Sequence, residues 1–313
     1  MRAKHLVALS DLSAAEIVEI LDWSERLKRR LEQGIPEHSL HGKVLGMVFE
    51  KSSMRTRLSF EVAMLQLGGH AIDLGANNIG MGSREAVKDV ARVMSRYVDG
   101  IVIRTYAHKI VKTLARHASV PVINGLCDYL HPCQALADVF TIRERFGSLA
   151  GIHVVFVGDG NNVARSLAMA CAKLGMRFSL ASPAKYSFAP EFVKRLREIG
   201  AKNGFSLRLL RDPKKAVKKA DVVYTDVWAS MGQEDETEQR RAAFQAYQVN
   251  QELLEGAPGN AVVMHCLPAH RGDEISDDVI DGNRSIVYDQ AENRLHVQKA
   301  ILRLLLGREH NAK

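Results

Sequence analysis

The chain has 313 residues, 46% hydrophobic and 25% charged, with a net charge of +7. That length fits two domains of ordinary size, and that balance is typical of a soluble globular protein. Its apolar runs, such as Ala261–Met264 and Leu304–Leu306, fall far short of the roughly 20 residues that span a bilayer, which excludes a membrane helix. Met1–Leu9 carries Arg2, Lys4 and His5 with no apolar stretch behind them, so a cytoplasmic protein without a secretory signal is expected. Cys127, Cys133, Cys171 and Cys266 form no CxxC pair, and their expected state is the free thiol of a reducing compartment. Lys214, Lys215, Lys218 and Lys219 follow Asp212-Pro213, an N-cap and a first helical turn, with no aromatic residue between them. They read as the solvated face of a helix, not as a nucleic-acid surface.

Short β-branched or apolar runs alternate with helical patterns. In chain order the first block predicts a strand at Lys43–Phe49, helices at Met54–Leu67 and Glu85–Tyr97, a strand at Gly100–Ile103, a helix at Ile110–His117 and a strand at Val120–Ile123. A helix at Gln134–Phe146 closes it. The second block predicts strand His153–Val157, helix Val163–Leu174, strand Arg177–Ala181, helix Pro190–Asn203, strand Ser206–Leu209 and helix Pro213–Lys219. Strands Asp221–Thr225 and Ala261–Met264 and a last helix at about Ala291–Leu306 complete it. This alternation predicts an α/β protein of two doubly wound parallel-sheet domains. The boundary falls near the Gln134–Phe146 helix, which precedes Gly147-Ser148. A first domain, 1–146, is completed by the C-terminal helix 291–313 packing back on it, and the second domain is 147–290.

In open α/β sheets, ligands sit at the carboxyl ends of the strands. Unusual polar residues fall at those ends here. Ser53, Arg55 and Thr56 follow the first strand, Arg104 ends the second, and His131 follows the third after a loop. Asn161 and Asn162, Asp226, and His265-Cys266 follow strands of the second block. Contributions from both blocks predict a site in a cleft between two domains. Lys51-Ser52-Ser53-Met54-Arg55-Thr56-Arg57 runs from a strand into a helix, whose first turn offers unpaired N–H groups and partial positive charge. Hydroxyls and a guanidinium there suit a phosphate. An ordinary serine cap with exposed arginines fits the same residues equally well. The segment is not a GxxxxGK[ST] phosphate loop.

Ser53-Met54-Arg55-Thr56-Arg57 resembles the Ser-Thr-Arg-Thr-Arg signature of the aspartate/ornithine carbamoyltransferase family. Arg104 in Ile-Val-Ile-Arg-Thr, His131-Pro132-Cys133-Gln134, His265-Cys266-Leu267-Pro268 and Gln290-Ala291-Glu292-Asn293-Arg294 match further family motifs in order, and the likeness runs from about Leu6 to Leu306. The resemblance implies that Ser53, Arg55, Thr56 and Arg104 hold the phosphate of carbamoyl phosphate, with Met54 lending its backbone. It implies that Thr56, Arg104 and His131 face the carbonyl oxygen and that Gln134 accepts from the carbamoyl NH2. Cys266, Leu267 and Arg294 would reach the same substrate. Met54 stands where the family usually has Thr. Gly80 stands where many ornithine-specific members carry a Gln reaching the site of a neighbouring subunit, so no role is carried onto it.

Asp226-Val227-Trp228-Ala229-Ser230-Met231-Gly232 is similar to the Ser-Met-Gly loop of the ornithine-specific branch. The resemblance gives Asp226 and Asn162 to the α-amino group of ornithine, with Ser230 and Met231 at the same end. Aspartate-specific members usually have Pro-Leu-Pro in place of Cys266-Leu267-Pro268, so Cys266 favours ornithine. Asp226 and Cys266 would orient the δ-amine and accept its proton. Arg104, His131, Cys266 and Asp226 are therefore the expected catalytic residues. Neighbours in a strand point to opposite faces, so His265 is badly placed to activate Cys266 as a nucleophile. The implied reaction gives citrulline and phosphate, a step of arginine biosynthesis. It needs no metal or organic cofactor, because carbamoyl phosphate is already activated. The resemblance also implies a homotrimer or an assembly of trimers. Putrescine, an N-acylated ornithine or aspartate are alternative acceptors. A nicotinamide-dependent dehydrogenase is the alternative of another class: Gly158-Asp159-Gly160 opens a helix, but Val163 replaces the third glycine of GxGxxG and the next strand ends at Ser182-Pro183 without a ribose-binding acid.

Overall fold

A computed structural model describes residues 1–75, 81–82, 84–230 and 232–307. Two compact units divide the chain: Met1–Phe140 with the residues from Glu292 onward, and Thr141–Ala291. The division falls inside the helix whose far end, at 146, was the expected boundary.

The first unit opens with α1 (Ala14–Glu32), absent from the predicted elements. Its start is nevertheless written in the sequence. The Ser13 hydroxyl accepts from the Glu16 N–H while the Glu16 carboxylate accepts from the Ser13 N–H, a reciprocal capping box. Strands β1 (Val44–Phe49), β2 (His70–Asp73), β3 (Gly100–Arg104) and β4 (Val122–Leu126) form one parallel sheet in the order β2-β1-β3-β4. Helices α2 (Met54–Gln66), α3 (Val87–Met94), α4 (His108–His117) and α5 (Pro132–Phe146) connect or follow them. Every residue of β3 and β4 is buried, as a parallel sheet covered on both faces requires. β4 starts at Val122, later than predicted, because Pro121 has no N–H to give to the ladder.

The second unit contains β5 (His153–Val157), α6 (Asn162–Leu174), β6 (Arg177–Ala181), α7 (Pro190–Gly200), β7 (Ser206–Leu210), α8 (Pro213–Val217) and β8 (Val222–Thr225). It continues through α9 (Thr237–Phe244), α10 (Gln251–Glu255), β9 (Val262–His265) and α11 (Asp277–Ile280). The long C-terminal helix α12 (Val287–Leu306) starts four residues before its predicted start. The sheet order is β7-β6-β5-β8-β9, again parallel throughout. Asp212 caps α8 through the Lys215 N–H, with Pro213 in the first turn; Lys214 and Lys215 lie on this short helix, which ends at Val217, before Lys218 and Lys219. The short elements β2, α9, α10 and α11 were missed; at four to eight residues, local periodicity has little to register.

Candidate functional site

Each sheet has a point where the chain, having built outward on one side, crosses to the other. In the first sheet it lies between β1 and β3, in the second between β5 and β8. Ligands of doubly wound folds sit outside the strand ends at such points. Ser53 follows β1, Arg104 ends β3, Asn161 follows β5 and Asp226 follows β8.

In the first unit, Ser53 is the N-cap of α2, accepting from the Thr56 N–H at 3.2 Å, and its hydroxyl donates to Thr56 Oγ1 at 3.1 Å. The capping reading of this segment is thus correct for Ser53. The two arginines behind it part company. Arg57 is exposed and pairs with Glu61 and Asp73, whereas Arg55, on the first turn, is half-buried. Met54 is exposed. Arg104 is buried, and its Nη1 lies 3.4 Å from Thr56 Oγ1. It sits at a register shift: Ile103 pairs with Asn124 but Arg104 with Leu126, leaving Gly125 over. Such a bulge turns the side chain that follows it. A Cβ on Gly125 would meet the Ile103 carbonyl oxygen at 3.2 Å, which explains the glycine.

Arg294 completes the cluster. Its Nη2 donates to Thr56 Oγ1 at 2.8 Å and its Nη1 to Gln134 Oε1 at 2.6 Å. Gln134 Nε2 donates in turn to Asp138 at 2.9 Å. Arg294 Nη1 also lies 3.4 Å from His131 Nε2. A guanidinium can only donate, so Nε2 is the acceptor and the imidazole proton is assigned to Nδ1. Burial, then the charges of Arg294 and Arg104, hold His131 well below the usual histidine range, so it is neutral near pH 7. Thr56, Arg104, His131, Gln134 and Arg294 are therefore one cationic, hydroxyl-bearing group. Two buried guanidiniums around one hydroxyl make an environment that favours an anion.

In the second unit, Asp226 is buried. Its Oδ2 accepts from Asn161 Nδ2 at 2.7 Å and its Oδ1 from Cys266 Sγ at 3.0 Å and from the Val227 N–H at 2.9 Å. Asn161 stands among the polar residues at the strand ends but was given no substrate role. It is held by its other end as well, where Oδ1 caps α6 through the N–H groups of Val163 and Ala164 at 3.0 Å each. The N-cap position before an apolar helix was the sequence signal that could have found it. The same bonds fill the helix terminus that a dinucleotide would need. Gly160 is explained by packing, since a Cβ there would lie 3.0 Å from the Tyr186 carbonyl oxygen. Asn162 is buried beside Asn161, and Ser230 is half-buried with its N–H donating to Gln233 Oε1 at 3.1 Å. Met231 and Gly80 lie outside the described residues.

Donor atoms of Asp226, His265 and Cys266 lie within 4.8 Å of one another, a spacing that suits a metal ion. The His265 ring is already committed. Its Nδ1 accepts from the Leu267 N–H at 2.8 Å, which places the ring proton on Nε2, 3.0 Å from the Glu274 carboxylate. With that tautomer neither nitrogen offers a lone pair to an ion, and neither faces the Cys266 thiol as a base. The bond to Leu267 instead stabilises a residue at φ 55°, in the left-handed region that non-glycine residues avoid.

Two doubly wound sheets, each with a polar cluster at its switch point, define a two-unit α/β protein of the switch-point ligand-binding class. Residues 4–144 match the model for the carbamoyl-P binding domain of aspartate/ornithine carbamoyltransferases, and residues 150–305 match that for the Asp/Orn binding domain. The chain belongs to the aspartate/ornithine carbamoyltransferase family. It is 53% identical over 307 residues to an ornithine carbamoyltransferase of Pyrococcus horikoshii, covering 98% of this chain and 97% of that one. Similar structures include the ornithine carbamoyltransferase of Pyrococcus furiosus (TM-score 0.95, 53% identity, 97% of each chain). That of Thermus thermophilus matches with a TM-score of 0.88 and 44% identity, covering 98% of this chain and 100% of that one.

Proposed function

We propose that the protein is an ornithine carbamoyltransferase, moving the carbamoyl group of carbamoyl phosphate to the δ-amine of L-ornithine to give L-citrulline and phosphate. One observation carries the choice of acceptor: the Asp226 carboxylate, held by Asn161 and by the Cys266 thiol at 3.0 Å. A buried carboxylate beside a neutral thiol suits a cationic diamino acid and disfavours aspartate, whose own carboxylate it would repel.

The first unit takes the anion. Ser53, the Met54 backbone, Arg55, Thr56 and Arg104 hold the phosphate. Arg294 and Gln134 hold the carbamoyl group, with Gln134 Oε1 accepting from its NH2. The partners of Gln134 support that orientation, because Arg294 can only donate to Oε1 and the Asp138 carboxylate accepts from Nε2. Cys266 and Leu267 border the carbamoyl group. Asn162, Asp226, Ser230 and Met231 hold ornithine.

The δ-amine attacks the carbamoyl carbon, forming the C–N bond. The carbonyl oxygen becomes an oxyanion, met by Thr56, Arg104 and the N–H of neutral His131, a contribution of about 3–4 kcal/mol per donor in sites of this kind. The C–O bond to phosphate then breaks, and phosphate leaves with the electron pair. Asp226, with Cys266 bonded to it, orients the amine and takes its proton. Binding both substrates together supplies a further large part of the acceleration. All of these groups are side chains and backbone of the chain itself.

The reading extends to a cytoplasmic homotrimer serving arginine biosynthesis. No helix among the described residues is long and apolar enough to cross a membrane. Met54, Leu58 and Leu65 share one face of α2 and are 71%, 54% and 71% exposed, a surface suited to self-association. Colorimetric citrulline assay with ornithine, putrescine, N-acetylornithine and aspartate tests the reaction, and light scattering tests the trimer. Product from ornithine alone is the expected result; faster carbamoylation of another amine would overturn it.

A further inference from the structure

The acceptor cluster of the second unit is carried on two loops, and both are tied to one buried cation that neither the motifs nor the reaction uses. Arg240, on α9, is 6% exposed. Its Nη1 donates to the Asp159 carboxylate at 2.8 Å and to the Trp228 carbonyl oxygen at 3.0 Å, and its Nε to the Glu236 carboxylate at 2.9 Å. Its guanidinium also lies 4.9 Å from the Tyr186 ring centroid. Asp159 belongs to the turn that delivers Asn161 and Asn162. Trp228 stands midway between Asp226 and Ser230. One turn along the same helix, Phe244 stacks on the Trp228 indole, with ring centroids 6.0 Å apart and planes at 16°. α9 thus grips Trp228 twice, by its carbonyl through Arg240 and by its ring through Phe244.

A buried ion pair of this kind is a poor source of net stability, because desolvation offsets most of the attraction. Its benefit lies in geometry: a planar fork that serves the Asp159 turn, the Trp228 loop and the start of its own helix together fixes their relative positions. Burial pushes the Asp159 carboxyl above its usual range, with Arg240 opposing the rise and Asp226 adding to it. Arg240 is the cation hydrogen-bonded to Asp159, and Arg165 adds a weaker attraction.

We infer that Arg240 is a positioning residue for the amine acceptor, holding the Asp226–Ser230 loop in register with the Asn161–Asn162 turn. The inference rests on the proposed function. Arg240 touches none of the groups assigned to carbamoyl phosphate, so its loss should separate the two substrates kinetically.

The experiment uses the full-length enzyme and Arg240→Gln, Arg240→Lys, Asp159→Asn and the Arg240→Gln/Asp159→Asn double variant. Ornithine is varied at saturating carbamoyl phosphate, and the Kd of carbamoyl phosphate is measured by calorimetry. Arg240→Gln should raise the KM for ornithine by about tenfold or more while the carbamoyl phosphate Kd moves by less than about twofold. Arg240→Lys should recover part of the loss, since an ammonium reaches one acceptor but not the whole set. The double variant should be no worse than Arg240→Gln, because the two residues act as one unit. A merely structural role would lower Tm without splitting the two substrates. An ornithine KM within about twofold of wild type in Arg240→Gln overturns the inference. If that variant does not fold, an unchanged ornithine KM in Arg240→Lys overturns it instead. Wild-type enzyme that makes no citrulline overturns the proposed function as well, and that control separates the two failures.

Discussion

Arg294 donates to Gln134 Oε1 at 2.6 Å across 160 positions of sequence. With Asp138 holding the other end of the amide, this bond decides which atom of Gln134 is available to a ligand.

Arg294→Lys keeps the charge but loses the fork that reaches Thr56 and Gln134 together. The variant is expected to bind carbamoyl phosphate about tenfold more weakly and to lose about 1.5–3 kcal/mol of stability, the usual range for a hydrogen bond to a charged group. Calorimetric titration and urea unfolding measure the two separately.

Arg55 and Arg57 lie two residues apart on α2 and should behave oppositely. Arg55→Ala is expected to weaken carbamoyl phosphate binding by about tenfold or more with an unchanged fold. Arg57→Ala breaks pairs that its exposed guanidinium makes with Glu61 and the half-buried Asp73 and should leave the affinity unaltered. Equal affinities for Arg55→Ala and wild type in a calorimetric titration would remove Arg55 from the phosphate site.

Cys266→Ser should raise the ornithine KM by about tenfold with little change in carbamoyl phosphate affinity, because the thiol meets Asp226. Asn161→Ala removes the holder of Asp226 and the cap of α6 together. It should cost about 0.5–2 kcal/mol in stability and also raise the ornithine KM. Steady-state kinetics with each substrate varied in turn checks both variants.

Acid should destabilise the fold through its histidines. Burial, with Lys4 adding to it, pushes His5 down to about 4, and burial is the leading cause of lowered values at His108, His131, His153 and His296. Each has a folded value below its unfolded value near 6.5, so between the two the unfolded chain binds more protons. The stability is complete above about 6.5 and is lost as pH falls toward the folded values. Unfolding at a pH of about 5.5 should take up more than one proton, measured by calorimetry in buffers of different ionisation enthalpy, and His5→Gln should reduce the uptake. Proton release at that pH would contradict the assignment.

The alternation of elements, the parallel-sheet class and the phosphate-side motif could be read from the sequence because they are local. A run of β-branched residues, a serine before a helix, or an arginine at a strand end carries its meaning within a few positions. Asn161 and Arg240 could not be read in this way. One resembles any helix cap and the other any arginine on a short polar helix, and only the packed chain shows that they hold Asp226 and Trp228. The same holds for His265, whose neighbour Cys266 invites a catalytic pairing that its bonds to Leu267 and Glu274 exclude. The sequence by itself determined the main alternation of strands and helices and which polar side chains end the strands. The tertiary structure decided which of those side chains meet, because hydrogen-bond partners 160 residues apart are set by sheet order and register, which leave no local periodicity.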